Sequence, residues 1–92
     1  MTTYNLHQER DTKFCRLDGL PEVRVRWLNR EENQTEADGS TFHLFHFSEW
    51  DIVARVTYNT RRRISVEIPD KDNRKEVLDY MERAMGGRLI AA

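Results

Sequence analysis

The chain has 92 residues and a formal net charge of -1, with 34% of its residues charged and 38% hydrophobic. This length suits one modest core, so we expect a single domain over residues 1–92. The near-neutral balance excludes a protein that coats nucleic acid, or imitates it, by bulk charge. Any electrostatic role must therefore depend on where the charges lie.

The composition also indicates where the protein works. No apolar run approaches the roughly 20 residues of a membrane span, and residues 1–11 lack the basic and apolar pattern of a signal peptide. The single cysteine, Cys15, cannot form an internal disulfide. These observations predict a cytoplasmic protein without membrane contact.

Two short strands are predicted in the first third of the chain. Residues 1–12 are weakly patterned and are expected to form either an arm or a short added strand. Residues 13–17 have the composition of a short strand, and residues 22–28 alternate between apolar and polar side chains. This alternation places Arg24 and Arg26 on one face, opposite the apolar side chains Val23, Val25 and Trp27.

A long acidic loop is predicted at residues 29–40, which contain no apolar side chain larger than Ala37. Arg30 is the one basic residue in this loop, against four carboxylates, Glu31, Glu32, Glu36 and Asp38. The loop is either a solvated excursion or an acidic prong that meets a basic surface on a partner. In the second case Glu31 and Glu32 are candidate contacts.

The middle of the chain, residues 41–68, predicts three consecutive strands at 41–47, 51–58 and 63–68. Its β-branched and aromatic side chains alternate with polar ones, and polar breaks separate the three runs. Residues 59–62 connect the last two strands as a hairpin. The strongest positive cluster of the chain lies in and beside this connection, at Arg61, Arg62 and Arg63.

The last predicted element is a helix over residues 73–85, with an apolar stripe along one side. Asn73 as N-cap and Glu76 at the third helical position resemble a capping box, and Gly86 is a good left-handed stop. Residues 88–92 follow as a short tail. The predicted fold is α+β, an antiparallel meander sheet of four to five strands with one C-terminal helix packed on one face.

The strand at 41–47 is apolar on both faces, because Phe42 and Leu44 alternate with Phe45 and Phe47. If the helix covers Phe42 and Leu44, the opposite face presents the other two rings beside the arginines Arg24, Arg26, Arg55 and Arg63. Such a face suits single-stranded nucleic acid, since rings stack on bases and guanidinium groups contact phosphates. It also suits a protein partner, unless residues 1–17 fold over the rings and hide them.

No motif in the chain names a reaction, because it contains no phosphate-binding loop, no ordered catalytic triad and no nucleotide fingerprint. His43 and His46 are three residues apart, a spacing that sends their side chains to opposite faces of a strand. His7 is the only other imidazole. We therefore predict no enzyme activity, no metal site and no cofactor.

The stretches TFHLFHFSEWDIVARVTYNTRRRISVEI and NRKEVLDYMERAMGG, in a small chain with segregated charge, resemble the small phage-encoded anti-CRISPR proteins. An inhibitor of a type I-F surveillance complex is one kind of protein in this group that the chain resembles. The resemblance implies a non-catalytic protein in the host cytoplasm that docks on a complex of protein and guide RNA and blocks target DNA binding. That group shares no motif, so no residue role is taken from it.

The residues themselves predict the contacts with a partner, which would be a protein or ribonucleoprotein complex of a host, with nucleic acid as a further contact. These predicted contacts are Arg61, Arg62, Arg63, Arg24, Arg26, Arg55, Phe45, Phe47, Glu31 and Glu32. The alternative function is a stand-alone single-stranded nucleic-acid-binding domain that uses the sheet face of arginine and phenylalanine.

Overall fold

The computed structural model describes residues 1–7, 17, 23–32 and 34–92. These residues form β1 (Thr2–His7), β2 (Val25–Trp27), β3 (Thr41–Phe47), β4 (Ile52–Tyr58), β5 (Ile64–Ile68), α1 (Arg74–Met85) and β6 (Arg88–Ala91). The strands make one antiparallel sheet in the order β2-β3-β4-β5-β1-β6. The predicted α+β fold with a C-terminal helix is confirmed, with six strands instead of four to five.

The two additional strands come from the ends of the chain. Thr2–His7 lies between β5 and β6, where Tyr4 is opposite Val66 on one side and Ala91 on the other. Residues 88–92, predicted as a tail, supply β6 as the edge strand of the sheet. The strand predicted at residues 13–17 lies outside the described residues, except for the buried Leu17.

The helix packs on one face of the sheet and closes the core. Its buried side chains are Val77, Tyr80, Met81 and Met85. The Tyr80 ring meets Phe47 edge-on at 5.6 Å between centroids, and its hydroxyl donates to the Leu17 carbonyl oxygen at 3.1 Å.

The two ends of the helix differ in how well they follow the sequence pattern. The C-terminal end is left-handed at Gly86, whose N–H donates to the Glu82 carbonyl oxygen at 2.9 Å, as the predicted stop requires. The predicted capping box is wrong, because the Asn73 side chain makes no capping hydrogen bond.

Phe45 and Phe47 lie on the face that the helix covers, so their predicted exposure as partner contacts is wrong. Both side chains are 0% exposed. Phe47 lies opposite Ile52 and Phe45 opposite Ala54, since the turn of residues 48–51 sets this register. Directly opposite residues share a face of the sheet, and both rings therefore join the core.

The other face of β3 carries Phe42 and Leu44, which the prediction had placed under the helix. Both are half-buried, and they lie opposite Thr57 and Arg55 on β4. A strand that is apolar on both faces gives no periodic signal for its orientation. Pairing with β4 determines which face of β3 is turned towards the helix, because β4 is apolar on one face and polar on the other.

Candidate functional site

The arginine hairpin, residues 59–63 between β4 and β5, is the most basic feature of the described surface. The Asn59 carboxamide oxygen accepts hydrogen bonds from the backbone N–H groups of Arg61 and Arg63, at 2.9 and 3.0 Å. Arg62 takes a left-handed conformation with φ of 61°, and its N–H donates to the Asn59 carbonyl oxygen at 3.0 Å. This Asx-type turn holds the tip in one shape.

All three arginines of the hairpin project into solvent. No ion pair among the described residues involves Arg61, Arg62 or Arg63. Three neighbouring guanidinium groups repel one another, so the hairpin concentrates positive potential that an anionic surface would relieve.

The acidic loop, residues 29–40, returns along β3 towards the arginine hairpin. Thr35 bridges to Thr41, and the Glu36 N–H donates to the Ser40 carbonyl oxygen at 2.8 Å. A Cβ atom at Gly39 would come within 3.2 Å of the Thr60 methyl carbon, so the turn of the loop packs against the hairpin. The predicted acidic and basic segments therefore stand side by side at one end of the sheet.

Asp38 keeps its negative charge at this end of the sheet. The Ser40 hydroxyl and the Ser40 backbone N–H donate to its carboxylate at 2.5 and 2.9 Å. These hydrogen bonds lower the pKa of the Asp38 carboxyl below its ordinary value of 3.8. The surface beside the arginine hairpin thus has a fixed negative charge on the side of β3.

Arg55 is committed to contacts within the protein. Its guanidinium lies 4.1 Å from the centroid of the Phe42 ring, and it forms an ion pair with Glu36 of the acidic loop. Its Nε atom is buried and makes no hydrogen bond. Arg55 therefore ties the sheet to the acidic loop, while 34% of its side chain stays accessible to a partner.

Arg24 and Arg26 are exposed, but they lie far from the arginine hairpin. Arg26 is opposite His46, and His46 is opposite Val53 at the start of β4. Val53 is five residues before the end of that strand, a distance of roughly 17 Å along it. The structure therefore does not bring this pair together with the hairpin.

Glu31 and Glu32 are exposed in a turn directly after β2, where the Glu32 N–H donates to the Asn29 carbonyl oxygen at 3.1 Å. Glu32 also accepts a hydrogen bond from the Gln34 side chain. Both carboxylates are accessible to a partner.

Two side chains near the hairpin were missed by the sequence pattern. His7 of β1 and Arg88 of β6 are directly opposite each other, and His7 lines a cleft together with Arg63. All three are exposed. Their proximity depends on pairing between the two ends of the chain, for which the sequence holds no local signal.

His43 and His46 lie on opposite faces of β3, as their spacing predicted. His43 packs against Trp27 at 4.9 Å between ring centroids, and His46 hydrogen-bonds to Asp51 at 2.9 Å. In the described part of the chain, no group of three or more His, Cys, Asp or Glu side chains is arranged to hold a metal ion.

Burial lowers the pKa of the His43 imidazole below its ordinary value of 6.5. In the unfolded chain the His43 imidazole is protonated below about pH 6.5, whereas in the folded protein its protonation needs a lower pH. The free energy of unfolding should therefore fall as the pH drops below that value. We expect His43→Gln to show a smaller loss between pH 7.5 and pH 5.5 than the unmodified protein, measured by urea unfolding. Equal losses in the two proteins would contradict this.

Searches against protein-family models, curated proteins and solved structures find no match to the chain. Among the described residues, no helix has the length and apolar character that crossing a membrane requires. An assignment of function therefore rests on the geometry of this surface.

Proposed function

We propose that the chain is a non-catalytic binding inhibitor of the anti-CRISPR type. It docks through the arginine hairpin on a CRISPR surveillance complex of protein and guide RNA, and it blocks target DNA binding by occupying the site. The class of partner is taken from the resemblance to anti-CRISPR proteins, and the contact is inferred from the exposed arginine hairpin.

The observation that carries this proposal is the arginine hairpin itself. A near-neutral chain concentrates three exposed arginines in a five-residue turn, and the side-chain oxygen of one asparagine, Asn59, holds that turn through two backbone hydrogen bonds. Arginine is the side chain best suited to phosphate and carboxylate groups, through two parallel hydrogen bonds. A ribonucleoprotein offers both groups.

The neighbouring acidic loop favours a ribonucleoprotein over free nucleic acid. Asp38 is on the β3 side of the hairpin, where a phosphate backbone would meet like charge, whereas the charge of Glu36 is compensated by Arg55. A protein surface can match both signs at once. The alternative, a stand-alone single-strand binder, also loses the stacking rings it required, since Phe45 and Phe47 are fully buried.

The proposal is tested by adding the protein to a reconstituted surveillance complex and to a free single-stranded oligonucleotide. We expect stoichiometric capture of the complex, loss of its binding to double-stranded target DNA, and weak binding to the oligonucleotide. Tight, steeply salt-dependent binding to the oligonucleotide, without capture of the complex, would support the alternative.

The double substitution Arg61→Ala and Arg62→Ala should weaken capture of the complex by about a hundredfold or more, because two charged hydrogen bonds are lost and each is worth roughly 1.5–3 kcal/mol. The melting temperature should hardly change, since both side chains are exposed and form no ion pair among the described residues. Surface plasmon resonance and thermal unfolding measure the two effects.

Two control variants sharpen that test. Lys75→Ala removes an exposed charge from the helix and should leave capture unchanged. Arg61→Lys with Arg62→Lys keeps the charge but loses the planar fork, so partial recovery would indicate a contact that needs arginine geometry. A large fall in melting temperature with capture intact would remove the hairpin from the interface.

A further inference from the structure

A cleft of about 600 Å³ lies between β1 and β5, on the side of the arginine hairpin away from the acidic loop. The described residues that line it are Asn5, Leu6, His7, Asn59, Arg63, Ile64 and Ser65. Asn5 and Ser65 are directly opposite each other across the two strands, which sets their side chains next to one another.

The described lining of the cleft is rich in hydrogen-bond donors and contains no carboxylate. Arg63 contributes a guanidinium, Ser65 a hydroxyl and Asn5 a carboxamide. Asn59 uses its carboxamide oxygen within the hairpin, so its NH₂ group remains for a ligand. Arg88 extends the positive charge beyond the cleft, because it is paired with His7.

Donors around a positive charge are the arrangement that binds an oxyanion, and phosphate is the oxyanion for which arginine's fork is best matched. The volume, however, greatly exceeds that of a single phosphate group and lies within the range of sites for small organic ligands. The side chains of Leu6 and Ile64 point to the core, whereas His7 lies on the same face of β1 as Asn5 and supplies a ring in the lining on which a base can stack.

We propose that this cleft binds a nucleotide through its phosphate group, with Arg63 as the charged contact and Asn5 and Ser65 as hydrogen-bonding partners. This goes beyond docking on a surveillance complex, because it concerns a ligand of small-molecule size and requires no protein partner. The two proposals can therefore fail independently.

The test is an NMR titration of the full, isotopically labelled chain with adenosine monophosphate at constant ionic strength. Adenosine and inorganic phosphate are titrated in parallel, so that the base with its sugar and the phosphate are each probed alone. We expect adenosine monophosphate to shift the amide signals of Asn5, Arg63 and Ser65. Inorganic phosphate should shift the same signals with lower affinity, and adenosine should leave them in place.

Substitutions locate the contact. Arg63→Gln should weaken binding of adenosine monophosphate by about tenfold. Lys75→Gln, which removes an exposed charge from the helix on the other face of the sheet, should leave the affinity unchanged. The spectrum of each variant shows directly whether it is folded, and Ser65→Ala provides a second, milder change in the cleft that should also weaken binding.

Four results would overturn the proposal. These are no shifts with adenosine monophosphate, equal shifts with adenosine, inorganic phosphate binding as tightly as the nucleotide, or equal weakening by Arg63→Gln and Lys75→Gln. The last of these would mean that the protein attracts the anion by diffuse charge rather than in the cleft.

Discussion

Phe47→Ala is expected to lower the free energy of unfolding by about 3–5 kcal/mol, the usual loss for a large aromatic side chain removed from a core. Phe47 is 0% exposed, and its ring contacts both Trp50 and Tyr80. Small domains are commonly stable by only about 5–15 kcal/mol, so this loss is a large part of the total. Urea unfolding followed by circular dichroism measures the difference.

A matched variant on the other face of β3 tests which face of the strand lies in the core. Phe42→Ala removes the same side chain from the same strand, but on the face away from the helix, where the ring is half-buried against Arg55. It should cost clearly less than Phe47→Ala. If Phe42→Ala proved the more damaging of the two, an orientation of β3 with Phe47 in the core would be wrong. Phe47→Leu keeps most of the apolar volume and allows a measurement if the alanine variant is largely unfolded.

The orientation of β3 shows where periodicity stops being informative. The existence of strands at 41–47, 51–58 and 63–68 followed directly from composition, because β4 and β5 alternate cleanly between the core and the other face. In β3 both faces are apolar, so alternation has two equally good solutions. The length of the turn at residues 48–51 determines which face of β3 lies in the core. A four-residue connection places Phe47 opposite Ile52, and Ile52 is a core residue.

The two strands at the ends of the chain were harder to predict for a different reason: residues 1–12 were open between an arm and an added strand, and residues 88–92 were predicted as a tail. β1 and β6 each carry only two large apolar side chains, so neither has a strong pattern of its own. They are stable because each pairs with a neighbour that is distant in sequence, as Tyr4 does with Val66 and Ala91. Only the assembled sheet specifies them.

In the candidate site too, features set by local sequence could be predicted, and features set by long-range packing could not. The arginine hairpin is local in sequence, so its position and exposure followed from one turn between two clear strands. What lies beside it depends on long-range packing, as with the acidic loop on the β3 side and His7 and Arg88 on the β1 side. Arg55 alternates outward as predicted, but no sequence pattern could show that Glu36 already occupies it.

Asn29→Ala is expected to lower the free energy of unfolding by about 2–3 kcal/mol, because it removes one buried carboxamide that satisfies three separate groups. The Asn29 Oδ1 accepts from the Trp27 indole N–H at 3.0 Å and from the Leu44 N–H at 2.9 Å, and its Nδ2 donates to the Phe42 carbonyl oxygen at 3.1 Å. The side chain thus continues the ladder between β2 and β3 beyond the end of β2. Urea unfolding and amide exchange at Leu44 measure the loss.

Local and global effects of this substitution can be told apart. Glu31→Ala, two residues further along the acidic loop and exposed, should change stability by no more than about 0.5 kcal/mol. Asn29→Asp retains the acceptor for Trp27 and Leu44 but loses the donor to Phe42, so its stability should fall between those of the other two variants.

Because Asn29 anchors the start of the acidic loop, amide exchange at Leu44 should accelerate in Asn29→Ala even under conditions where the protein stays folded. Unchanged exchange there would mean that the loop is held by its other end, through Glu36 and Arg55.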